Sequence, residues 1–140
     1  MKFTTKTRYG MRAMAEIADN YGKRSVSVSD IAKKEGISVQ YLEQLLNKLK
    51  RKGLVKSIRG PKGGYVLARP PAKINAYDIV KVLDGEIELA SCVSLLVEAK
   101  CGNKHRCPTK FLWNKLNAAI KDVLESATLA GLTKISGGRK

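Results

Sequence analysis

Residues 27–53 read SVSDIAKKEGISVQYLEQLLNKLKRKG. Ser27 is suited to cap a helix, and Asp30 follows three residues on, the spacing of a helix start. The short helix expected over Ser29–Glu35 stops at Gly36, a residue favoured just past a helix C-terminus. Ser38 caps again, and a second helix runs from about Val39 to Lys52 and ends at Gly53. Its apolar residues Leu42, Leu45, Leu46 and Leu49 fall at i, i+3, i+4 and i+7, one stripe of an amphipathic helix. Two helices joined by a three- to four-residue turn containing glycine make a helix-turn-helix. In such a unit the second helix enters the major groove, and its N-terminal residues reach base edges. The face opposite the leucines shows Gln40, Glu43, Gln44 and Asn47. Amides pair with adenine and a glutamate accepts from cytosine N4. A solvated helix face is the blander account of these four residues. The capped short helix and Gly36 ahead of them favour duplex DNA.

Working outward toward the C-terminus, Leu54–Arg59 and Tyr65–Arg69 are two β-rich runs. They are separated by Gly60-Pro61-Lys62-Gly63-Gly64, which predicts a hairpin. Behind a recognition helix such a hairpin is a wing. Glycine lets backbone approach a phosphate or a groove floor, and arginine reads guanine or a narrow minor groove. Arg59, Gly60, Lys62 and Gly63 are therefore candidate contacts, with an ordinary turn as the alternative. The spacing GxxxxGK[ST] of a nucleotide-phosphate loop is absent. Toward the N-terminus, Ala13, Met14, Ile17, Ala18 and Tyr21 recur at helical spacing and predict a first helix over Tyr9–Tyr21 with a buried stripe.

Beyond Pro70-Pro71, Asn75 caps a short helix over about Ala76–Leu83. Pro108-Thr109 opens a long one, whose Leu112, Leu116, Ala119, Ile120, Val123 and Ala127 form an apolar stripe. Nothing else in the chain is expected to cover that stripe, so a homodimer interface is the simple reading, and a dimer suits a palindromic operator. Packing on the first helix is the alternative. The expected architecture is mainly α with a small β-hairpin wing. It divides into a winged helix-turn-helix (1–71), a linker helix and cysteine loop (72–108), a dimerisation helix (109–132) and a disordered tail (133–140).

The chain carries a net charge of +15 over 140 residues. Residues 1–73 hold 17 Lys/Arg against 5 Asp/Glu, and residues 74–140 hold 10 against 7. The polyanion-binding half is thus the N-terminal one. No apolar run suffices for a membrane span and no secretory leader is evident, so a cytoplasmic protein without membrane contact is expected. With one histidine and no acid–base or nucleophile constellation, an enzyme is disfavoured. Charge by itself also admits an RNA-binding protein.

The three cysteines, Cys92, Cys101 and Cys107, all lie within sixteen residues. In a reducing compartment an odd number of clustered thiols reads as metal ligands or redox groups, not as a disulfide frame. Lys100, Lys104 and Arg106 would stabilise thiolates. A zinc site usually brings a C-x₂₋₄-C pair, which is missing here. A metal-free thiol switch stays open.

Several strings together carry a resemblance. They are the opening Lys2-Phe-Thr-Thr-Lys-Thr-Arg8-Tyr9, the stretch Gly36-Ile-Ser38-x-x-Tyr41-Leu42-Glu43-Gln44, and the wing Val55-x-Ser57-x-Arg59-Gly60-Pro61-x-Gly63-Gly64-Tyr65. The three cysteines and Thr128-Leu-Ala near the last helix complete the set. From Met1 to about Leu132 the chain resembles the IscR-type winged-helix regulators, a superfamily that includes IscR, NsrR and RirA. The resemblance implies that Ser38, Tyr41, Glu43, Arg59 and Gly60 meet DNA, with Glu43 and Arg59 helping to read bases. It implies that Cys92, Cys101 and Cys107 hold an iron–sulfur cluster, 2Fe-2S or 4Fe-4S, whose occupancy alters DNA binding. It also implies repression of cluster-assembly genes. The chain departs from the pattern at three places. Lys110 stands where a ligand histidine is expected, Arg8 stands where some relatives supply an acidic ligand, and eight residues separate Cys92 from Cys101. The fourth ligand is open among His105, Glu98, water and a small thiol.

Overall fold

A computed structural model describes residues 3–86 and 108–137 of the chain, with side chains to residue 134. The elements in order are α1 (Thr5–Asp19), α2 (Val28–Glu35), α3 (Val39–Arg51), β1 (Val55–Ile58), β2 (Gly64–Leu67), a 3₁₀ turn (Pro71–Lys73), α4 (Ala76–Asp84), α5 (Pro108–Ser126) and α6 (Leu129–Gly137). This is the expected winged helix: mostly helical, with one antiparallel hairpin.

Side-chain caps set the helix starts. Ser27 accepts from the Asp30 amide at 3.1 Å, and Ser38 from the Tyr41 amide at 3.1 Å. Asn75 and Asp78 exchange reciprocal bonds at 2.9 and 3.1 Å, a capping box. Each such cap contributes about 1 kcal/mol. Gly36, at φ 69°, takes the left-handed turn that ends α2, a conformation costly for residues with a Cβ.

Among the described residues one core joins the helix-turn-helix, the wing, α4 and α6. Met14, Ile17, Ile31, Leu42, Leu45, Leu46, Leu49, Ile79 and Leu129 are all fully buried in it. The expected boundary at residue 71 is therefore not a core boundary, because Ile74, Ile79, Leu83 and Leu129 complete the same cluster. A single hydrophobic face on α1 needs more cover than α2 and α3 supply, and α4 and α6 provide it. At Gly10, α1 meets Leu83 of α4 so closely that any added Cβ would overlap its Cδ1.

Three expectations need correction. The first helix spans Thr5–Asp19, not Tyr9–Tyr21, and Tyr21 is 44% exposed and off the buried stripe. Its earlier start comes from Thr4, whose hydroxyl accepts from the Thr7 amide at 3.4 Å. Thr4 is in turn held from far along the chain, since its N–H and Oγ donate to the Asp84 carboxylate at 3.1 and 2.5 Å. Thr7 Oγ adds a third bond at 2.6 Å. Secondly, the single C-terminal helix expected over 109–132 is two helices. The break at Ala127-Thr128 is stitched to the segment before α4: the Ala76 amide donates to Ala127 O at 2.8 Å and the Leu129 amide to Ile74 O at 2.9 Å. Thr128 Oγ accepts from the Gly131 amide at 3.1 Å and so restarts the helix. Thirdly, the tail expected to be disordered from residue 133 continues as α6 to Gly137, and residues 138–140 lie outside the described ones.

Two outcomes test this core. Leu129→Ala should lower the urea midpoint by the equivalent of about 2–5 kcal/mol, because it empties a fully buried site. Burial pushes the Asp84 carboxyl up, but the bonds from Thr4 and Thr7 outweigh it and hold it below its ordinary value. A carboxylate depressed in this way stabilises above its unfolded pKa and loses that stabilisation as pH falls through the folded one. Asp84→Asn should thus be less stable than wild type near neutral pH, with the gap closing below about pH 4. A gap unchanged at about pH 2 would contradict the assignment.

Candidate nucleic-acid interface

The orientation of α3 follows from its leucines. With Leu42, Leu45, Leu46 and Leu49 buried on one side, Gln40, Glu43, Gln44 and Asn47 are left exposed on the other. Gln40 and Gln44 are exposed and make no side-chain hydrogen bond among the described residues. Ser38 is exposed and its oxygen is engaged as the cap of α3. Tyr41 is half-buried. Its ring meets Tyr9 edge-on at 6.4 Å and 89°, and the Arg12 guanidinium lies 5.7 Å from the Tyr9 ring. Tyr41 thus helps seat α3 on α1 while keeping part of its surface open.

The helix pair is tied to α1 by two ion pairs. Arg12 meets Glu35 at 3.2 Å and Lys34 meets Glu16 at 2.8 Å. The Glu16 carboxylate, by hydrogen bond and by charge, holds the Lys34 ammonium above its ordinary pKa. Exposed pairs of this kind add little stability, but they restrict how α2 can shift.

The wing follows as antiparallel β1 and β2, in register from Val55 opposite Leu67 to Ile58 opposite Gly64. Its tip turns over Gly60-Pro61-Lys62-Gly63, closed by the Gly63 amide on Gly60 O at 2.9 Å. Arg59, Gly60 and Lys62 are exposed there, and Gly63 is half-buried. A third short strand contact fixes the hairpin: Val26 and Tyr65 exchange backbone bonds of 3.0 and 2.8 Å. Gly64 permits this, since a Cβ at that position would run into Val26 O. Ser25 Oγ donates to Lys62 O at 2.6 Å, and Lys50 Nζ donates to Ser57 Oγ at 2.9 Å, tying α3 to β1. Burial pushes the Tyr65 phenol up, and the Glu43 carboxylate pushes the same way, so α3 and the wing share one electrostatic neighbourhood.

The structure therefore places the nine sequence-predicted residues on two adjacent elements, the start of α3 and the wing tip. Sequence reasoning missed Ser25, Val26 and Lys50, the residues that hold the wing to its neighbours. A lone Ser-Val before a cap carries too weak a signal for a strand. Cys92, Cys101, Cys107 and His105 fall in 87–107, outside the described residues. Among the described residues no group of His, Cys, Asp or Glu is placed to hold a metal. The Tyr77 hydroxyl donates to Glu86, Lys81 pairs with Glu86 at 3.4 Å, and Lys121 of α5 lies 5.2 Å from the Tyr77 ring. Burial first, then the Glu86 hydrogen bond, pushes the Tyr77 phenol up to about 12. The same hydrogen bond holds the Glu86 carboxyl low. Lys110 sits half-buried in the first turn of α5, and Arg8 lies exposed on α1 with Thr5 Oγ at 3.4 Å.

The family described as Rrf2, iron-dependent transcriptional regulator, matches residues 3–135. The chain is 41% identical to the regulator CymR of Bacillus subtilis over its whole length and 95% of that protein. It superposes on the structure of CymR, the global cysteine regulator of B. subtilis, with a TM-score of 0.78, covering 96% of this chain and 98% of that one. It is 38% identical to IscR of Vibrio atlanticus over 96% of this chain and 76% of that protein. The structure of T. potens IscR matches with a TM-score of 0.78 at 39% identity, covering 97% of this chain and 88% of that one. The chain therefore belongs to the Rrf2 family and is a DNA-binding helix-turn-helix transcriptional regulator, not an enzyme.

Proposed function

We propose that this regulator is a homodimeric repressor whose operator affinity is set by an iron–sulfur cluster on Cys92, Cys101 and Cys107. The observation that carries the proposal is where the thiols fall. They occupy the only stretch joining α4, which completes the DNA-binding core, to α5, whose apolar face is uncovered. A change in that stretch therefore acts on both the fold's reading unit and its pairing helix.

On the DNA side, Gln40, Glu43, Gln44 and Arg59 read base edges, while Ser38, Tyr41, Gly60, Lys62 and Gly63 meet the backbone and the groove wall. The support is their exposure on two adjacent elements and the basic charge around them. On the pairing side, Phe111 and Val123 are 75% and 66% exposed, and Leu112 and Leu116 are exposed as well. An apolar helix face of this kind fits a second copy, and a symmetric pair fits a palindromic operator. No helix among the described residues is long and apolar enough to cross a membrane, in keeping with action in the cytoplasm.

The donor chemistry fits three of the four positions of a cluster. Thiolates are its standard ligands, and a bound cluster supplies an oxidant- and iron-sensitive group. Lys110 and Arg8, both cations, cannot ligate iron, so the fourth donor comes from His105, Glu98, water or a small thiol. An incomplete thiolate set makes a cluster easier to lose, which suits a sensor of iron–sulfur supply and a repressor of cluster-assembly genes. Regulation requires that cluster-bearing and cluster-free forms differ in DNA affinity.

The same two cations favour a second reading, a regulator without a cluster that answers to a small molecule or a protein partner through its thiols, or through zinc. The likeness to CymR, named as a cysteine regulator, supports it. Purification without oxygen separates the two. A brown sample containing iron and sulfide, and bleached by oxygen, supports the cluster. A colourless, iron-free sample that still binds duplex sinks it.

Cys92→Ala should remove iron and visible absorption while leaving the far-UV spectrum and Tm unchanged. Global unfolding would instead mark Cys92 as a core residue. Arg59→Ala should cost about 1–3 kcal/mol on a selected operator and less on a scrambled duplex. Equal losses on both would demote Arg59 to a phosphate contact.

A further inference from the structure

Beside the wing lies a cleft of about 580 Å³ that the predicted interface residues only partly line. One wall is the wing tip at Pro61, Lys62 and Gly63, and the other is the α1–α2 loop at Lys23, Arg24 and Ser25. The loop is held in place by two contacts already described, the Val26–Tyr65 bridge and the Ser25 bond to Lys62 O. The Lys23 and Arg24 amides both donate to Asn20 O, at 3.0 and 3.2 Å. The Arg24 Nε donates to Asn20 Oδ1 at 3.1 Å, which directs the guanidinium and leaves its two terminal nitrogens without partners among the described residues.

Lys23, Arg24 and Lys62 are all exposed, and Asp30 is the one acidic residue on the cleft wall. Three cations against one carboxylate suit an anion. The cleft is open along its length and continuous with the wing tip, so it fits an extended polyanion better than a small enclosed one. A hairpin tip that enters a groove carries the neighbouring loop onto the sugar–phosphate strand bordering that groove.

We infer that the Lys23–Arg24 loop is a second, sequence-independent contact to the DNA backbone, taken by phosphates flanking the site that α3 and the wing read. This inference rests on the proposed DNA interface and extends it beyond the operator half-site. Lys23 and Arg24 supply charge without base recognition. Their phosphates would be fixed in register by the Ser25–Lys62 bond, which makes loop and wing tip move as one.

The test uses the full chain, a duplex it selects from a random-sequence pool, and a scrambled duplex of equal length. Affinity is measured across a salt series for wild type, for Lys23→Gln/Arg24→Gln and for the charge-preserving Lys23→Arg/Arg24→Lys. Each phosphate contact contributes about 0.9 to the slope of log affinity against log salt. With two such residues on each of two protomers, the Gln pair should therefore flatten the slope by about 4 on both duplexes, with the preference for the selected one unchanged. The charge-preserving pair should keep the wild-type slope. On a selected duplex trimmed to end at the wing contact, wild type and the Gln pair should converge. An unchanged slope in the Gln pair, or a lost preference, overturns the inference while the interface reading stands. If wild type selects no duplex, the interface reading falls and takes this inference with it.

Discussion

The burial of the leucine stripe on α3 is the constraint from which the functional surface follows. A helix has one rotational setting that puts Leu42, Leu45, Leu46 and Leu49 fully inside. In that setting Gln40, Glu43, Gln44 and Asn47 have nowhere to point but outward. Each buried leucine is worth about 1.5–3 kcal/mol, far more than the hydrogen bonds that position the turn before it. The recognition face is thus set by what the opposite face hides. α1, α2 and α4 pack against α3 to hide it, and Leu129 of α6 completes the same core, which is why the reading unit cannot be cut from the C-terminal half without exposing core.

The wing obeys a different logic. A two-stranded hairpin is only marginally stable by itself. Here it borrows order from three neighbours: the Val26 bridge, the Ser25 hydroxyl and the Lys50 ammonium. Glycine at 63 and 64 is demanded by close backbone approach, since a Cβ at either would strike a carbonyl oxygen. The density of glycine in the tip therefore has a packing cause as well as any benefit to groove entry.

Local signals made much of this readable in the sequence. Ser27, Gly36, Ser38 and the leucine spacing place α2 and α3 to within a residue or so at their ends. The Gly/Pro run places the hairpin, and Asn75 places α4. What stayed hidden depends on partners far along the chain. The start of α1 needs Asp84, eighty residues from Thr4. The break between α5 and α6 needs the backbone of Ile74 and Ala76. The Lys23–Arg24 loop acquires its place beside the wing through the one-residue bridge to Tyr65 and the Ser25 bond to Lys62 O. Beside the segment that holds the cysteines, the structure adds what the sequence did not show: Glu86 is gripped by Tyr77 and Lys81, and Lys121 of α5 lies over that same tyrosine. Glu86, just before the cysteine stretch, thus sits in one small polar cluster between α4 and α5.

The stitching of the α5–α6 junction has an evolutionary corollary. Bonds from the Ala76 and Leu129 amides to the Ala127 and Ile74 carbonyls use groups that nearly every amino acid possesses. Such a seam can persist while the residues around it change, provided Leu129 keeps its socket and Thr128 its cap. α5 is then a helix whose outward face can drift, because the seam at its end rests on backbone groups and its inner face alone meets α4. A lineage can retune what α5 pairs with and leave the reading head untouched.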